Sequence, residues 1–109
     1  MFNGVSTTAS NNYVVQIGAG SVTTSGYANR VTYFQGATLG GNNNTSGFVI
    51  GNYGAANTLS GALTLTLLTG NTWVATGYFA DSGANASSTG GVIALSGTCD
   101  RVHITTTTG

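Results

Sequence analysis

The sequence predicts an all-β protein, an antiparallel β-sandwich or a closed barrel, built as one domain over residues 1–109. Three observations predict it. Gly, Thr, Asn and Ser make up more than half of the 109 residues, while the helix formers Glu and Lys are absent and only two Arg occur. Thr, Val, Tyr and Phe are plentiful, so intrinsic propensity favours strands. Short apolar runs recur between Gly-, Ser- and Asn-rich breaks, and no segment carries apolar residues at helical spacing. Gly, Ser and Asn in these amounts also suit a disordered tail. Such tails are poor in aromatics, however, and here Trp73, five Tyr and four Phe are spread along the chain, so a folded state is expected.

The expected elements follow in order. Residues 1–11 read as a flexible or assembly-contacting N-terminal segment. The first strand is expected at 13–17 (YVVQI) and the second at 28–34 (ANRVTYF). A third is expected at 48–50, running on toward Tyr53. The Gly/Asn stretch at 40–45 (GGNNNT) reads as a loop between them. The fourth strand, 62–68, alternates leucine with threonine; the fifth, 72–79, follows the tight break Thr69-Gly70-Asn71, which predicts an antiparallel hairpin. After an expected loop at 81–91 (DSGANASSTGG) come strands at 92–95 and 102–106. The pair Ser-Gly recurs at residues 25, 46, 60, 82 and 96 and reads as turn punctuation.

Period-two alternation assigns faces. Leu63, Leu65 and Leu67 share one face, and Trp73, Ala75 and Phe79 share the facing one. Leu63, Leu65, Leu67, Trp73 and Phe79 are therefore the expected core. Val74, Thr76 and Tyr78 point the other way. Exposed apolar residues there suit either a second sheet or a partner subunit.

Chemistry-bearing residues are few. The formal net charge is zero, and two arginines are too few for phosphate binding, so no nucleic-acid partner is expected. A near-neutral surface has little charge repulsion against self-association. One cysteine, Cys99, allows no intrachain disulfide. No apolar stretch approaches membrane-spanning length, so no membrane insertion is expected, and the start of the chain does not read as a secretory signal.

No catalytic residue is assigned. Asp81 opens a Gly/Ser-rich loop and Asp100 lies in a turn, an arrangement that does not read as a carboxylate pair for glycoside hydrolysis. Cys99, Arg101 and His103 fall on one side of a strand and Asp100 on the other, which does not assemble a nucleophile–base–acid triad. A lone His makes no metal site. Gly18-Ala19-Gly20 and Gly40-Gly41 precede neither a helix nor a Lys, so they are not phosphate loops. No cofactor is expected. The two Asn-x-Thr/Ser matches within 42–46 carry little weight for glycosylation. Binding is left: Tyr27, Tyr33, Tyr53 and Tyr78, with Asn43, Asn44 and Asn85 in loops, are candidate surface contacts. Aromatic faces stack on sugars and amides hydrogen-bond them.

LTLTLLTGNTWVATGYF, followed after the Gly-rich loop by GGVIALSGTCDRVHITT, resembles a β-rich domain of tailed-bacteriophage virion proteins of tail-fibre type. RVTYFQGATLGG and SGFVIGNYGAANTLSG are similar to the strands before it, so the resemblance covers residues 26–108. It carries no catalytic motif. It implies a jelly-roll-like β-sandwich in a virion structural protein, a homotrimer assembled with other virion proteins and presenting loops to a host surface, with a surface glycan as a possible ligand. Family members continue past ITT with a further acidic and apolar strand, whereas here Thr107, Thr108 and Gly109 follow. The expected function is a tail-fibre or tail-tip domain contributing to assembly and host attachment. The alternatives are a capsid decoration or head-fibre protein and a free carbohydrate-binding module.

Overall fold

A computed structural model describes residues 1–51 and 54–107. Among them lie ten strands: β1 (Phe2–Val5), β2 (Tyr13–Ala19), β3 (Ser21–Val22), β4 (Ala28–Gln35), β5 (Thr38–Asn44), β6 (Phe48–Ile50), β7 (Leu59–Leu67), β8 (Thr72–Asp81), β9 (Ala86–Ala94) and β10 (Arg101–Thr106). They form two antiparallel sheets. The larger has six strands in the order β1-β7-β8-β9-β4-β5. In the smaller, four-stranded sheet, β2 pairs with β10 on one side and with β3 and β6 along the other. The chain crosses repeatedly from one sheet to the other, which gives the sandwich its jelly-roll-like character.

The hairpin read from the sequence is present. Leu67 pairs with Trp73, the Leu68 N–H donates to the Thr72 carbonyl at 2.9 Å, and the Thr72 N–H donates to the Thr69 carbonyl at 3.1 Å. Gly70 supplies the left-handed backbone this turn requires, with φ 57°.

Four expectations are corrected. Residues 40–45 are not a loop: most of them belong to edge strand β5, whose pairing runs from Asn29–Asn44 to Gln35–Thr38. Residues 81–91 are a short turn followed by most of β9, which lies between β8 and β4. In both, ladder hydrogen bonds from a neighbouring strand override the low strand propensity of Gly, Asn and Ser. The N-terminal segment is not flexible throughout. Phe2–Val5 pairs with β7, and the Phe2 ring is buried 5.9 Å from Tyr13 and 5.7 Å from Phe79 between centroids. Ser60-Gly61 likewise falls within β7, not at a turn.

The core lies between the sheets. It is formed by Phe2, Tyr13, Val15, Ile17, Tyr27, Phe48, Ile50, Leu59, Ala75, Phe79, Ile93 and Leu95, with Leu63, Leu65, Trp73 and Cys99 packed partly buried against it. Phe79 is core as expected. Leu63, Leu65 and Trp73 sit at its margin. Leu67 is not core: it is 51% exposed, because the four-stranded sheet does not cover that end of the hairpin.

A buried polar clamp ties the sheets together. The Asn29 amide donates to Thr89 Oγ1 (3.1 Å) and to the Gly90 carbonyl (2.9 Å), and its Oδ1 accepts from the Val49 N–H (2.8 Å). Thr89 Oγ1 in turn donates to the Val49 carbonyl at 2.7 Å. β4 and β9 of one sheet are thereby joined to β6 of the other, with the buried polar atoms satisfied.

Candidate functional site

The outer face of the six-stranded sheet is the first candidate. Directly paired residues in antiparallel strands share a face, so the register builds rows across it. Ala62, Tyr78, Ser88, Thr32 and Gly41 form one row. Ser60, Ala80, Ala86, Phe34 and Leu39 lie on one side of it, and Thr64, Thr76, Gly90, Arg30 and Asn43 on the other. Tyr78 stands out of this field of small side chains, 80% exposed. Phe34 and Leu39 are exposed with it. The alternation of β8 is the cause: Ala75, Gly77 and Phe79 go inward, Thr76 and Tyr78 outward.

Of the shallow clefts that adjoin at Tyr78, two extend to β4. One, of about 430 Å3, is lined by Tyr78, Phe34, Ala80 and Ala86. The other, of about 350 Å3, runs from Tyr78 across Ser88 and Thr32 to Arg30, over Gly90. Arg30 Nε and Nη2 each lie 3.7 Å from where a Cβ on Gly41 would be, so the side chain leans over β5. Arg30 makes no ion pair among the described residues. The other charges are engaged. Arg101 Nε holds Asp100 Oδ1 at 2.7 Å, and this guanidinium, with the Gly20 N–H, keeps the Asp100 carboxyl below the ordinary carboxylate range.

A second candidate is the pair of open strand edges on β7 and β10, one in each sheet. β10 is an edge strand, and β1 pairs with β7 only near Leu59 and Gly61, so residues 62–67 have no partner on that side among the described residues. Val102 and Ile104 pair with Ile17 and Val15, which places them on the core-facing side of their sheet, yet both are exposed. Leu67 and Leu68 are exposed as well. Apolar side chains beside unpaired strand edges form a template for further pairing.

The structure separates the expected contact residues. Tyr78 and Asn43 share the outer face. Asn44 is used locally, its Oδ1 accepting from the Ser46 N–H (2.7 Å) and Ser46 Oγ (2.6 Å). Tyr53 lies outside the described residues. Two expectations are corrected. Tyr27 is 2% exposed; its hydroxyl accepts from the Ile17 N–H at 2.9 Å and reaches the Ile17 and Thr23 carbonyls at 3.0 and 2.9 Å. Asn85 is also buried, because its amide donates to both carboxylate oxygens of Asp81 at 3.0 Å.

That carboxylate also accepts from the N–H of Gly83 and of Asn85 and from the Asn57 amide. Partial burial pushes the Asp81 carboxyl up, but these hydrogen bonds outweigh it and hold the group below its usual range. Asp81 is thus the organiser of a turn. Nor does the Cys99 neighbourhood assemble a triad. Cys99 packs against the core, whereas His103 pairs with Gln16 (Nδ1 to Oε1, 3.0 Å), on the opposite face from Val15 and Ile17. Among the described residues no group of three or more His, Cys, Asp or Glu is placed to hold a metal ion.

Sequence reasoning placed Thr76 beside Tyr78 but missed Arg30, Thr32 and Ser88 as its companions. Alternation within each strand contains part of the signal, but the register between β8, β9 and β4 does not follow from it. No family model, no curated protein and no solved structure matches the chain.

Proposed function

We propose that this chain is a non-catalytic structural module of a bacteriophage particle, a tail-fibre or tail-tip domain that assembles with copies of itself and other virion proteins and contributes to attachment at the host surface. The observation that carries this reading is the open edges of β7 and β10: Leu67, Leu68, Val102 and Ile104 stand exposed beside unpaired strand edges on a chain with almost no charge. Such an edge is stabilised by covering it with another chain, and contact between copies, three by resemblance, does this. The resemblance of residues 26–108 to tail-fibre-type domains gives the setting, and the sandwich supplies a rigid scaffold for the contacts.

Cryo-electron microscopy of particles of the phage encoding the chain tests the proposal. Threefold density at a fibre or tail tip, with β7 and β10 at the contact between copies, is the expected result. Density on the capsid lattice would reassign the module to shell decoration. Mass spectrometry of purified particles that contain none of the chain would overturn both.

A further inference from the structure

We propose that the outer face of the six-stranded sheet, centred on Tyr78, is a binding site for an acidic saccharide. The proposal gives the attachment role above a ligand class and rests on that reading for its biological setting.

The two clefts that meet at Tyr78 differ in chemistry. The apolar cleft, lined by Tyr78, Phe34, Ala80 and Ala86, suits the C–H face of a pyranose ring, which packs on an aromatic plane. The adjoining cleft is lined by Thr32, Thr76 and Ser88 and closed by Arg30. Thr32 and Ser88 are paired directly across β4 and β9, with Thr76 on the diagonal from Ser88, and each hydroxyl both donates and accepts, as sugar hydroxyls require. The guanidinium decides the charge of the ligand. Among the described residues Arg30 has no carboxylate partner, whereas Arg101 and both aspartates are engaged within the fold. An unpaired guanidinium at the end of a hydroxyl-lined cleft matches a carboxylate through charge-assisted, bidentate hydrogen bonds. With clefts of about 430 and 350 Å3 sharing Tyr78, Thr32 and Ser88, the site takes more than one sugar unit: an apolar ring face beside Tyr78 and an acidic unit toward Arg30.

The floor is free of bulk where the ligand would lie. A Cβ built on Gly90 meets nothing closer than the Ala75 carbonyl oxygen at 4.0 Å. A side chain there extends into the cleft without disturbing the core, so Gly90→Gln serves as a blocking substitution.

The test is an amide chemical-shift titration of the full chain with trigalacturonate, with maltotriose as the neutral comparison. Saturable shifts confined to Arg30, Thr32, Phe34, Thr76, Tyr78, Ala80, Ala86, Ser88 and Gly90 are expected, with maltotriose bound about tenfold more weakly, the scale of one charge-assisted contact. Arg30→Gln is expected to erase the preference for the acidic sugar. Tyr78→Ala and Gly90→Gln are expected to abolish both titrations while leaving the remaining spectrum intact. No saturable shift, shifts that survive Tyr78→Ala and Arg30→Gln, or ligand-free self-association that buries this face would each overturn the site. Absence of the chain from virions would overturn the setting and leave the site standing, so the two failures are distinguishable.

Discussion

Replacing Tyr27 by Phe removes one oxygen atom and isolates what that atom does. β6 pairs with β2 as far as Val15, and β3 takes over from Gly18. Between them the Ile17 N–H would face a gap in the sheet, and the Tyr27 hydroxyl fills it by accepting that N–H at 2.9 Å while donating to the Ile17 or the Thr23 carbonyl. The ring stays in the variant, with its edge-to-face packing 5.0 Å from Phe48, so little apolar area is lost. The loss is a hydrogen bond together with a stranded N–H in a site that water does not reach, about 1–3 kcal/mol. Against a total stability of about 5–15 kcal/mol, a loss of about 2 kcal/mol is large, and it should lower the Tm by roughly 10 °C. Urea unfolding followed by Trp73 fluorescence measures it as a shift in midpoint at unchanged slope. Amide exchange at Ile17 should accelerate beyond the change in global stability. A loss below about 0.5 kcal/mol, the range of an ordinary surface change, would refute the view that this hydroxyl completes the sheet.

Other substitutions test other parts of the fold. Tyr78→Ala, at an 80% exposed position, should change stability by less than about 0.5 kcal/mol in the same urea assay, whereas Phe79→Ala, one residue on and buried, should lose about 3–5 kcal/mol. Adjacent glycines should diverge: at Gly91 a Cβ would come within 2.9 Å of the Ala28 carbonyl, Asn29 Cβ and Phe48 Cδ1, so Gly91→Ala should cost about 1–3 kcal/mol, while Gly90→Ala should be tolerated. The Asp81 carboxyl is held below its unfolded-chain value, about 3.9. Its contribution is therefore complete above that pH and is lost as pH falls through the folded-state value. Midpoints measured from pH 6 downward should fall from about pH 4 in the parent and more shallowly in Asp81→Asn.

The sandwich was legible because its cues are local. The alternation of 62–68 and 72–79 and the Thr69-Gly70-Asn71 turn describe one hairpin that needs no information from elsewhere. What escaped was set by partners distant in sequence. The Gly/Asn run of β5 and the Ser/Thr/Gly run of β9 have poor strand propensity; β4 beside the first, and β4 and β8 on either side of the second, make them strands. Tyr27 and Asn85 look like surface residues because each carries a polar group that water would satisfy. Each is buried by polar contacts made within the fold, Tyr27 to the Ile17 and Thr23 backbone and Asn85 to Asp81. Leu67 continues a leucine face that is buried elsewhere, but the opposing sheet stops short of it. The candidate site was legible in its anchor, Tyr78, and its same-face neighbour Thr76. Arg30 joins them only through the register of β4 on β9 and β9 on β8.

The pairing of β2 with β10 has a kinetic consequence. Tyr13 to Gly18 zip against residues 101–106, so the most thoroughly buried strand receives its edge partner from the far end of the chain. The larger sheet contains the local β7–β8–β9 meander and can form early. The smaller sheet closes only after a loop of more than eighty residues has been drawn shut, which places folding in the slow range of about milliseconds to seconds. During synthesis β3 and β6 are available to one edge of β2, but the other edge of the YVVQI segment waits unpaired until β10 leaves the ribosome. Until then it is the stretch most exposed to capture by a chaperone or by a neighbouring nascent chain.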